Sequence, residues 1–410
     1  MLRAYKYRLY PTAEQAEYFA KCFGCCRVVY NHTLDYMSML WCGAGIFVSR
    51  FAAQAQLVSL KECYPWLDEV SSQSLQYAVK QVADAYTNFF EHRARHPLPK
   101  RKRDRQSFHN PQHCSVDWKH GTITIPKCKC IKAVLHRSFY GLVKDITVSK
   151  DPDGRYYASV LVDTAVQPAM PGPVSDATTI GIDTGIGTFA VCSNGTGYPS
   201  PHFAKDSATR LKHYQRQLRH MTKGSRNWNR TQLRIAKIHG HVANQRVDYL
   251  HKMTYGLTHD SQVGTICIED LDLREWMKHR QLAYDAVDVS VGKFYELLRY
   301  KCEWYGVNLV TIDRWCKSSK TCSVCGAVNE SLKLSQRVWT CNSCGTIHNR
   351  DYNASKNIKS FGLSALPGDA REVTPADCST VDDRRSLTGL RSSDSVKQEK
   401  FRSATDAPAL

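Results

Sequence analysis

The stretch from Cys322 to Ser355, which opens CSVCG and closes TCNSCGTIHNRDYNAS, limits what this chain can fold into more than any other. Cys322, Cys325, Cys341 and Cys344 form C-x2-C-x15-C-x2-C, within the spacing of a structural zinc ribbon. Each C-x-x-C makes a knuckle that turns two sulfurs toward one tetrahedral ion, and Gly326 and Gly345 follow where the backbone must turn back. Four thiolates close the coordination sphere and leave no position for water. A Zn2+ held there therefore folds the segment and performs no catalysis. A carboxylate, Asp351, stands just past the last cysteine, and the rest of the sequence has to account for it.

The remaining composition narrows the class of protein. A chain of 410 residues that is 42% hydrophobic can bury two or three cores. No segment offers the roughly 18 consecutive apolar residues of a membrane span, and the start, MLRAYKYRLYPT, carries charge where a signal peptide needs an apolar region. Seventeen irregularly spaced cysteines in a large chain fit reduced thiols better than a disulfide scaffold. A formal charge of +18 points to a polyanion partner, because Lys and Arg release the counterions condensed on phosphates. No basic amphipathic anchor accompanies it, so nucleic acid is favoured over membrane.

Periodicity divides the chain. YKYRLYPT reads as a strand; Thr12 and Gln15 then have capping-box spacing and open a helix with Phe19, Cys22, Phe23, Cys26 and Tyr30 on one face. The pair Cys22 and Cys25 has no partner pair and reads as core packing, while Cys128 and Cys130 suggest no role. A second helix starts near Ser71 or Ser72, carries Leu75, Val79, Val82, Tyr86 and Phe89 on one side, and is expected to be broken by the prolines of EHRARHPLPKRKRDR. GTITIP alternates, and DITVSKDPDGRYYASVLVD is two strands joined by an Asp-Pro-Asp-Gly turn. Residues 1–170 thus predict a mixed β-barrel-like domain with a helical insertion over about 12–95, linked by QPAMPGPVSDA to an α/β region over 171–363. In that region Leu211, Tyr214, Leu218 and Met221 form one helical stripe and Ile235, Ile238 and Val242 another. Between Lys205 and Lys252 there are twelve Lys or Arg against two Asp. A solvated helix face usually mixes signs, so this bias favours a nucleic-acid surface. VGTICIED and VNLVTID predict strands, VGKFYELLRYKCEWYG and DYNASKNIKSF helices, and 364–410 a disordered tail.

Three acids share a setting. Asp183 follows the strand TIGI at a glycine-rich turn, Glu269 ends TICI, and Asp351 opens a late helix. Each alone is an ordinary turn or cap residue. Their order is the layout of an RNase H-like nuclease core, in which carboxylates from separate elements hold two Mg2+ ions about 3.5–4 Å apart. The chain moreover resembles the TnpB family, transposon-encoded RNA-guided nucleases related to the type V CRISPR effectors. The resemblance rests on YRLYPTAEQ, FGCCRVVYN, GIDTGIGTFAV, IEDLDLREWM, SSKTCSVCG, TCNSCG and RDYNASKNI, which run from Tyr7 to Ile358.

What the resemblance implies can be stated residue by residue. Asp183, Glu269 and Asp351 match the RuvC-type catalytic and Mg2+-binding acids, with Mn2+ an acceptable substitute. The four cysteines match a ribbon, about 318–347, inserted before the last acid. The family often has a further Asp where this chain has Asn349. Arg350 is either a phosphate contact or a structural ion-pair member. The implied partners are a guide RNA from the transposon end and double-stranded target DNA, with pairing reading the sequence and the protein a short adjacent motif. Ser72, Gln73 and Gln76 are candidate motif readers, since Gln pairs bidentately with adenine, although capping and solvation are the readier account of a polar helix start. Lys100, Arg101, Lys102 and Arg103 are candidate phosphate contacts or a basic loop. The expected setting is the cytoplasm of a prokaryote, nucleoid-associated through DNA. Alternatives are a transposase performing strand transfer and a non-cleaving guided repressor; the repressor would be expected to have lost acids that this chain retains.

Overall fold

The computed structural model describes residues 1–260, 262–272, 278, 288–333 and 335–366. The expected tail beyond residue 366, and the REWM part of the motif at 268–277, lie outside them.

β1 (Leu2–Tyr10) turns Tyr5, Tyr7 and Leu9 inward, the period-two pattern of a strand covered on one face. The capping box then forms: Gln15 N donates to Thr12 Oγ1 (3.3 Å) and Thr12 N to Gln15 Oε1 (3.0 Å). It starts α1 (Ala13–Ala44), whose buried face includes all five residues of the expected stripe and both Cys22 and Cys25. α2 (Arg50–Cys63) was not foreseen; only Ala53, Leu57 and Leu60 are buried on it, too thin a stripe to stand out against its neighbours. α3 (Ser72–Phe90) buries Leu75, Val79, Val82 and Tyr86. It ends well before Pro97, correcting the proline-break expectation: Arg93 N and Ala94 N both donate to Asn88 O (2.9 and 3.0 Å), and the chain turns at His92 (φ 56°).

Six further strands complete the first sheet: β2 (Gln106–Asn110), β3 (Ser115–Asp117), β4 (Thr122–Ile125), β5 (Cys128–Val134), β6 (Leu142–Lys150) and β7 (Tyr156–Asp163). Their order is β2-β6-β7-β1-β5-β4-β3, antiparallel throughout. The end strands β2 and β3 do not pair, so the sheet is open rather than a closed barrel. Phe19 and Phe23 of α1 meet Phe108 of β2 at centroid distances of 5.8 and 5.4 Å, which joins helices and sheet in one core.

The second sheet contains β8 (Thr179–Thr184), β9 (Thr188–Cys192), β10 (Gly197–Pro199), β11 (Thr265–Glu269) and β12 (Asn308–Ile312), in the order β10-β9-β8-β11-β12. β8, β9 and β10 form an antiparallel meander, whereas β11 is parallel to both β8 and β12. Between β10 and β11 run α4 (Phe203–Arg219) and α5 (Arg226–His259); α6 (Val291–Tyr305) crosses from β11 to β12. The stripe Leu211, Tyr214, Leu218 and Met221 is only half-buried, while Ile235, Ile238 and Val242 are buried. Leu250, Met253 and Leu257 of α5 and Phe294, Leu297 and Leu298 of α6 cover one face of the sheet. The hairpin β13 (Val338–Thr340) and β14 (Ile347–Asn349) belongs to the cysteine segment, and α7 (Arg350–Ala365) covers the other face through Ile358. No helix among the described residues is long and apolar enough to cross a membrane, and their sixteen cysteines are free thiols.

Candidate active site and metal centre

β8 and β11 pair in parallel register as far as Ile182 and Ile268. The next residue on each strand is Asp183 and Glu269, so the two acids share one face at neighbouring strand ends. That face is the one α7 covers. The approach is close because Gly181, two residues before Asp183, has no side chain: a Cβ there would overlap the Ser355 carbonyl oxygen and stand 2.5 Å from Lys359 N. A second seat lies at Gly362, where a Cβ would overlap Cys267 Sγ. Seated so, α7 runs against the direction of β8. Its first turn, with Asp351, lies over the carboxyl ends of β8 and β11, where open α/β sheets place their ligands.

Electrostatics reports the convergence of the three partly buried acids. Burial pushes the Asp183 carboxyl well above its ordinary range; Asp351 and then Glu269 push it further, against Arg350 and Arg337. Burial raises Glu269 to about 7, opposed by Ser318, whose Oγ donates to Glu269 Oε2 at 3.5 Å, and assisted by Asp270. Tyr295 of α6 braces the strand ends: its hydroxyl donates to Glu269 O (3.0 Å) and lies 3.0 Å from Thr184 Oγ1.

Arg337, which sequence reasoning passed over, donates from Nη1 to both Asp351 oxygens (3.0 and 3.3 Å). Its own carbonyl accepts from Arg350 N (2.8 Å), and a Cβ on Gly187 in the β8–β9 turn would stand 3.6 Å from Arg337 Nη2. The cysteine segment thus reaches the carboxylates directly. Asn353 and Asn357 bind it to α7: Asn353 Nδ2 donates to Thr321 O (2.7 Å), Asn353 Oδ1 accepts from Ser323 N (2.9 Å), and Asn357 Nδ2 donates to Ser318 O (2.7 Å) and Thr321 O (2.6 Å). Their spacing in RDYNASKN, with both side chains buried, was the available signal.

The four cysteines present their ligand atoms within 4.8 Å of one another; among the described residues no other group of three or more His, Cys, Asp or Glu does so. Cys322 and Cys344 Sγ are 3.6 Å apart, as are those of Cys325 and Cys341. A tetrahedron with Zn–S bonds of about 2.3 Å has edges of about 3.8 Å. The thiols therefore fit Zn2+ with little rearrangement. The two knuckles repeat one geometry: Gly326 N donates to Cys322 O and Gly345 N to Cys341 O, both at 2.9 Å, with both glycines left-handed (φ 75° and 74°).

The residues considered for nucleic acid lie elsewhere. Ser72 Oγ accepts from Lys61 Nζ (2.9 Å), Gln73 Nε2 donates to Gln112 Oε1 (2.8 Å), and Gln76 is exposed. Lys100 turns inward, donating to Gln81 Oε1 (2.8 Å) 3.9 Å from the Tyr30 ring, and burial lowers its pKa. Arg101, Lys102 and Arg103 are exposed, with no acid paired to their side chains among the described residues.

An open, partly parallel sheet with acids at its carboxyl edge and a four-thiolate ribbon against the last of them defines the architecture, and the fold is one shared with a Cas12f1 protein. A structure of a Cas12f1–sgRNA–target DNA complex has a protein of this fold, with a TM-score of 0.53 at 17% identity over 85% of this chain and 83% of that one. Family models match residues 292–358 ("Cas12f1-like, TNB domain"), 159–280 ("Probable transposase") and 1–41 ("Helix-turn-helix domain"); residues 1–41 here are a strand and a single helix. A "Putative RNA-guided DNA endonuclease" of Streptomyces pristinaespiralis is 36% identical over all of this chain and 98% of its own length. InsQ of Escherichia coli K12, with the same description, is 29% identical over 89% of this chain and 93% of its own. The chain belongs to this TnpB-like family.

Proposed function

We propose that the chain is an RNA-guided, divalent-metal-dependent DNA endonuclease with a RuvC-like site at Asp183, Glu269 and Asp351. The reading is carried by the placement of Asp183 and Glu269 on one face at neighbouring parallel strand ends, with Asp351 at the start of the helix that covers that face, near enough for Asp351 and Glu269 to raise the Asp183 carboxyl. Hard oxygen donors from three acids, with Arg337 paired to only one of them, fit Mg2+ or Mn2+. Such ions, when bound, supply an activated water and charge stabilisation at the leaving oxygen. The chain's own part is to hold the oxygens: Tyr295 fixes the strand ends, Ser318 orients Glu269, and α7 fixes Asp351. Arg337 competes with a cation for Asp351, and its guanidinium is placed to meet a phosphate once Asp351 turns away. The ribbon, about 318–347, with a structural Zn2+, sets Arg337 and Ser318 in place.

In this reading the part to about residue 170 holds a guide RNA made from the transposon end and meets the target-adjacent motif, while 171–363 cuts. The relatives' names, the Cas12f1 complex and the excess positive charge support RNA and DNA as partners. The test is to express the chain with its flanking DNA, sequence the copurifying RNA, and offer the complex a plasmid library with randomised flanks in Mg2+. Cleavage confined to guide-matched members sharing one short motif is expected, and Asp183→Ala should abolish cleavage while retaining DNA binding. Equal cutting without RNA overturns the reading. The "Probable transposase" match favours a second one, strand transfer, for which joined DNA ends in the absence of RNA would be the evidence.

A further inference from the structure

After β12, and before the turn that leads into the first knuckle, the chain turns from Asp313 to Ser318. Its backbone is fixed from within: Trp315 N donates to Asp313 Oδ1 (2.8 Å), Cys316 N to Asp313 O (3.1 Å) and Ser318 N to Cys316 O (2.8 Å). Its neighbours fix it again. Ser318 O accepts from the buried Asn357, Cys316 packs against the cluster containing Ile312 and Ile358, and Asp270 N donates to Ile312 O (3.0 Å). On this anchored turn Trp315 leaves 83% of its surface exposed. Single exposed apolar side chains are common. This one is the largest side chain there is, it rests on a rigid base, and the turn that carries it also holds Ser318 against Glu269.

The charge around it says what it would accept. Arg314, beside it in sequence, pairs with Asp270 and lies 3.6 Å from Asp272. The cation is thus already engaged, and what the turn offers outward is a flat apolar ring rather than a phosphate clamp. A base-paired duplex keeps its bases stacked inside, whereas an unpaired strand exposes their faces, and stacking on an aromatic ring tolerates any base. Such tolerance suits an enzyme whose sequence choice is made by pairing elsewhere.

We propose that Trp315 is a stacking platform for one unpaired base of the DNA strand whose phosphodiester lies at Asp183, Glu269 and Asp351. It acts as a positioning residue that fixes which linkage reaches the acids. The proposal rests on the nuclease reading above, so its test separates the two. In the complex with guide RNA, Trp315→Leu should lower target cleavage about 5- to 150-fold, the range that base–aromatic stacking spans, and Trp315→Phe should retain most activity. A single abasic nucleotide moved along the cleaved strand should weaken the wild-type complex at one position and add no further loss to Trp315→Leu at that position. Equal cleavage by Trp315→Leu and wild type, damage by Phe equal to that by Leu, or additive losses at every abasic position would each overturn it.

Two controls keep the outcomes apart. A large fall in Tm of Trp315→Leu without nucleic acid would make Trp315 a packing residue, and a change in oligomeric state by light scattering would make it a contact with a second copy; either overturns the proposal. If wild type does not cleave, the failure belongs to the nuclease reading. The same abasic series, read as DNA affinity of the Asp183→Ala complex, then decides whether the stack exists.

Discussion

The four thiols and the three carboxyls are both metal-type sites, yet they are built in opposite ways. The thiols come from two knuckles that each close on themselves through two backbone hydrogen bonds and one left-handed glycine, with sulfurs already 3.6 Å apart in pairs. The carboxyls come from two strands and a helix widely separated along the chain. Nothing local brings them together; the packing of α7 on Gly181, and of its own Gly362 on Cys267, does. A locally closed site depends on its ion, and a long-range site depends on the core beneath it. Arg337 and the Asn353 and Asn357 bonds tie the first to the second, so the dependence should run in one direction.

Cys341→Ser should have the largest effect. Structural zinc contributes roughly 10–16 kcal/mol of apparent folding energy to small metal-dependent segments, so the chain should lose its bound zinc by elemental analysis and become protease-sensitive across the ribbon. Cleavage should fall with it, because Arg337 and Ser318 lose their frame, while circular dichroism from the two sheets stays close to wild type. Normal cleavage by zinc-free protein would break the coupling.

Gly181→Ala tests the opposite site. The added methyl meets backbone, which cannot turn aside as a flexible side chain can, so α7 must move off β8. Overpacking of this kind costs about 1–3 kcal/mol, and a displacement of about 1 Å at the acids can cost on the order of 100-fold in rate. Thermal unfolding and cleavage should both fall with zinc content unchanged; unchanged cleavage would show that close seating of α7 is not what sets Asp351.

These two sites also mark how far the sequence could be read. The zinc spacing, the capping box at Thr12, the stripes on α1 and α3 and the two knuckle glycines are short-range patterns, and short-range patterns survive in one dimension. The three acids were singled out by their order and by family resemblance, since no periodicity separates a ligand from a cap. Gly181 was a readable clue left unused: a glycine inside a buried strand marks close approach of another backbone. Arg337, Ser318 and Tyr295 had no such clue, because each acquires its partner only when distant elements pack. The end of α3 was misassigned for a related reason: the asparagine carbonyl that closes the helix is silent in the sequence, whereas the prolines beyond it are conspicuous.

The carboxyl site should respond to pH when no metal is bound to it. Glu269 stands at about 7 against an ordinary 4.5, and Asp183 is raised as well, so the folded state binds more protons than the unfolded state between those values. The unfolding free energy of chelated protein should therefore fall as pH rises from about 4.5 through about 7. Removing the charge with Asp183→Asn should raise Tm at pH 8 in chelator, because it relieves both the burial of a carboxylate and its repulsion from Asp351 and Glu269. Adding Mg2+ should stabilise the wild type and do little for the variant. Equal pH profiles for the two proteins would mean that the carboxyls are not crowded.

The smallest effect is expected at Asn349, where the family resemblance leads one to expect an Asp. It is the N-cap of α7: Tyr352 N donates to Asn349 Oδ1 at 3.1 Å. Asn and Asp cap equally well, whereas Ala at an N-cap costs about 0.5–2 kcal/mol. Asn349→Ala should thus lower Tm by an amount matching about 1 kcal/mol, and Asn349→Asp should change it by a few tenths, the benefit of an anion at a helix start offsetting repulsion from Asp351. Cleavage by Asn349→Asp should stay within about threefold of wild type, the scale of a screened charge pair. A gain of tenfold or more would mean that the position addresses the metal rather than the helix, and that the carboxyl site has a fourth acid that this chain has given up.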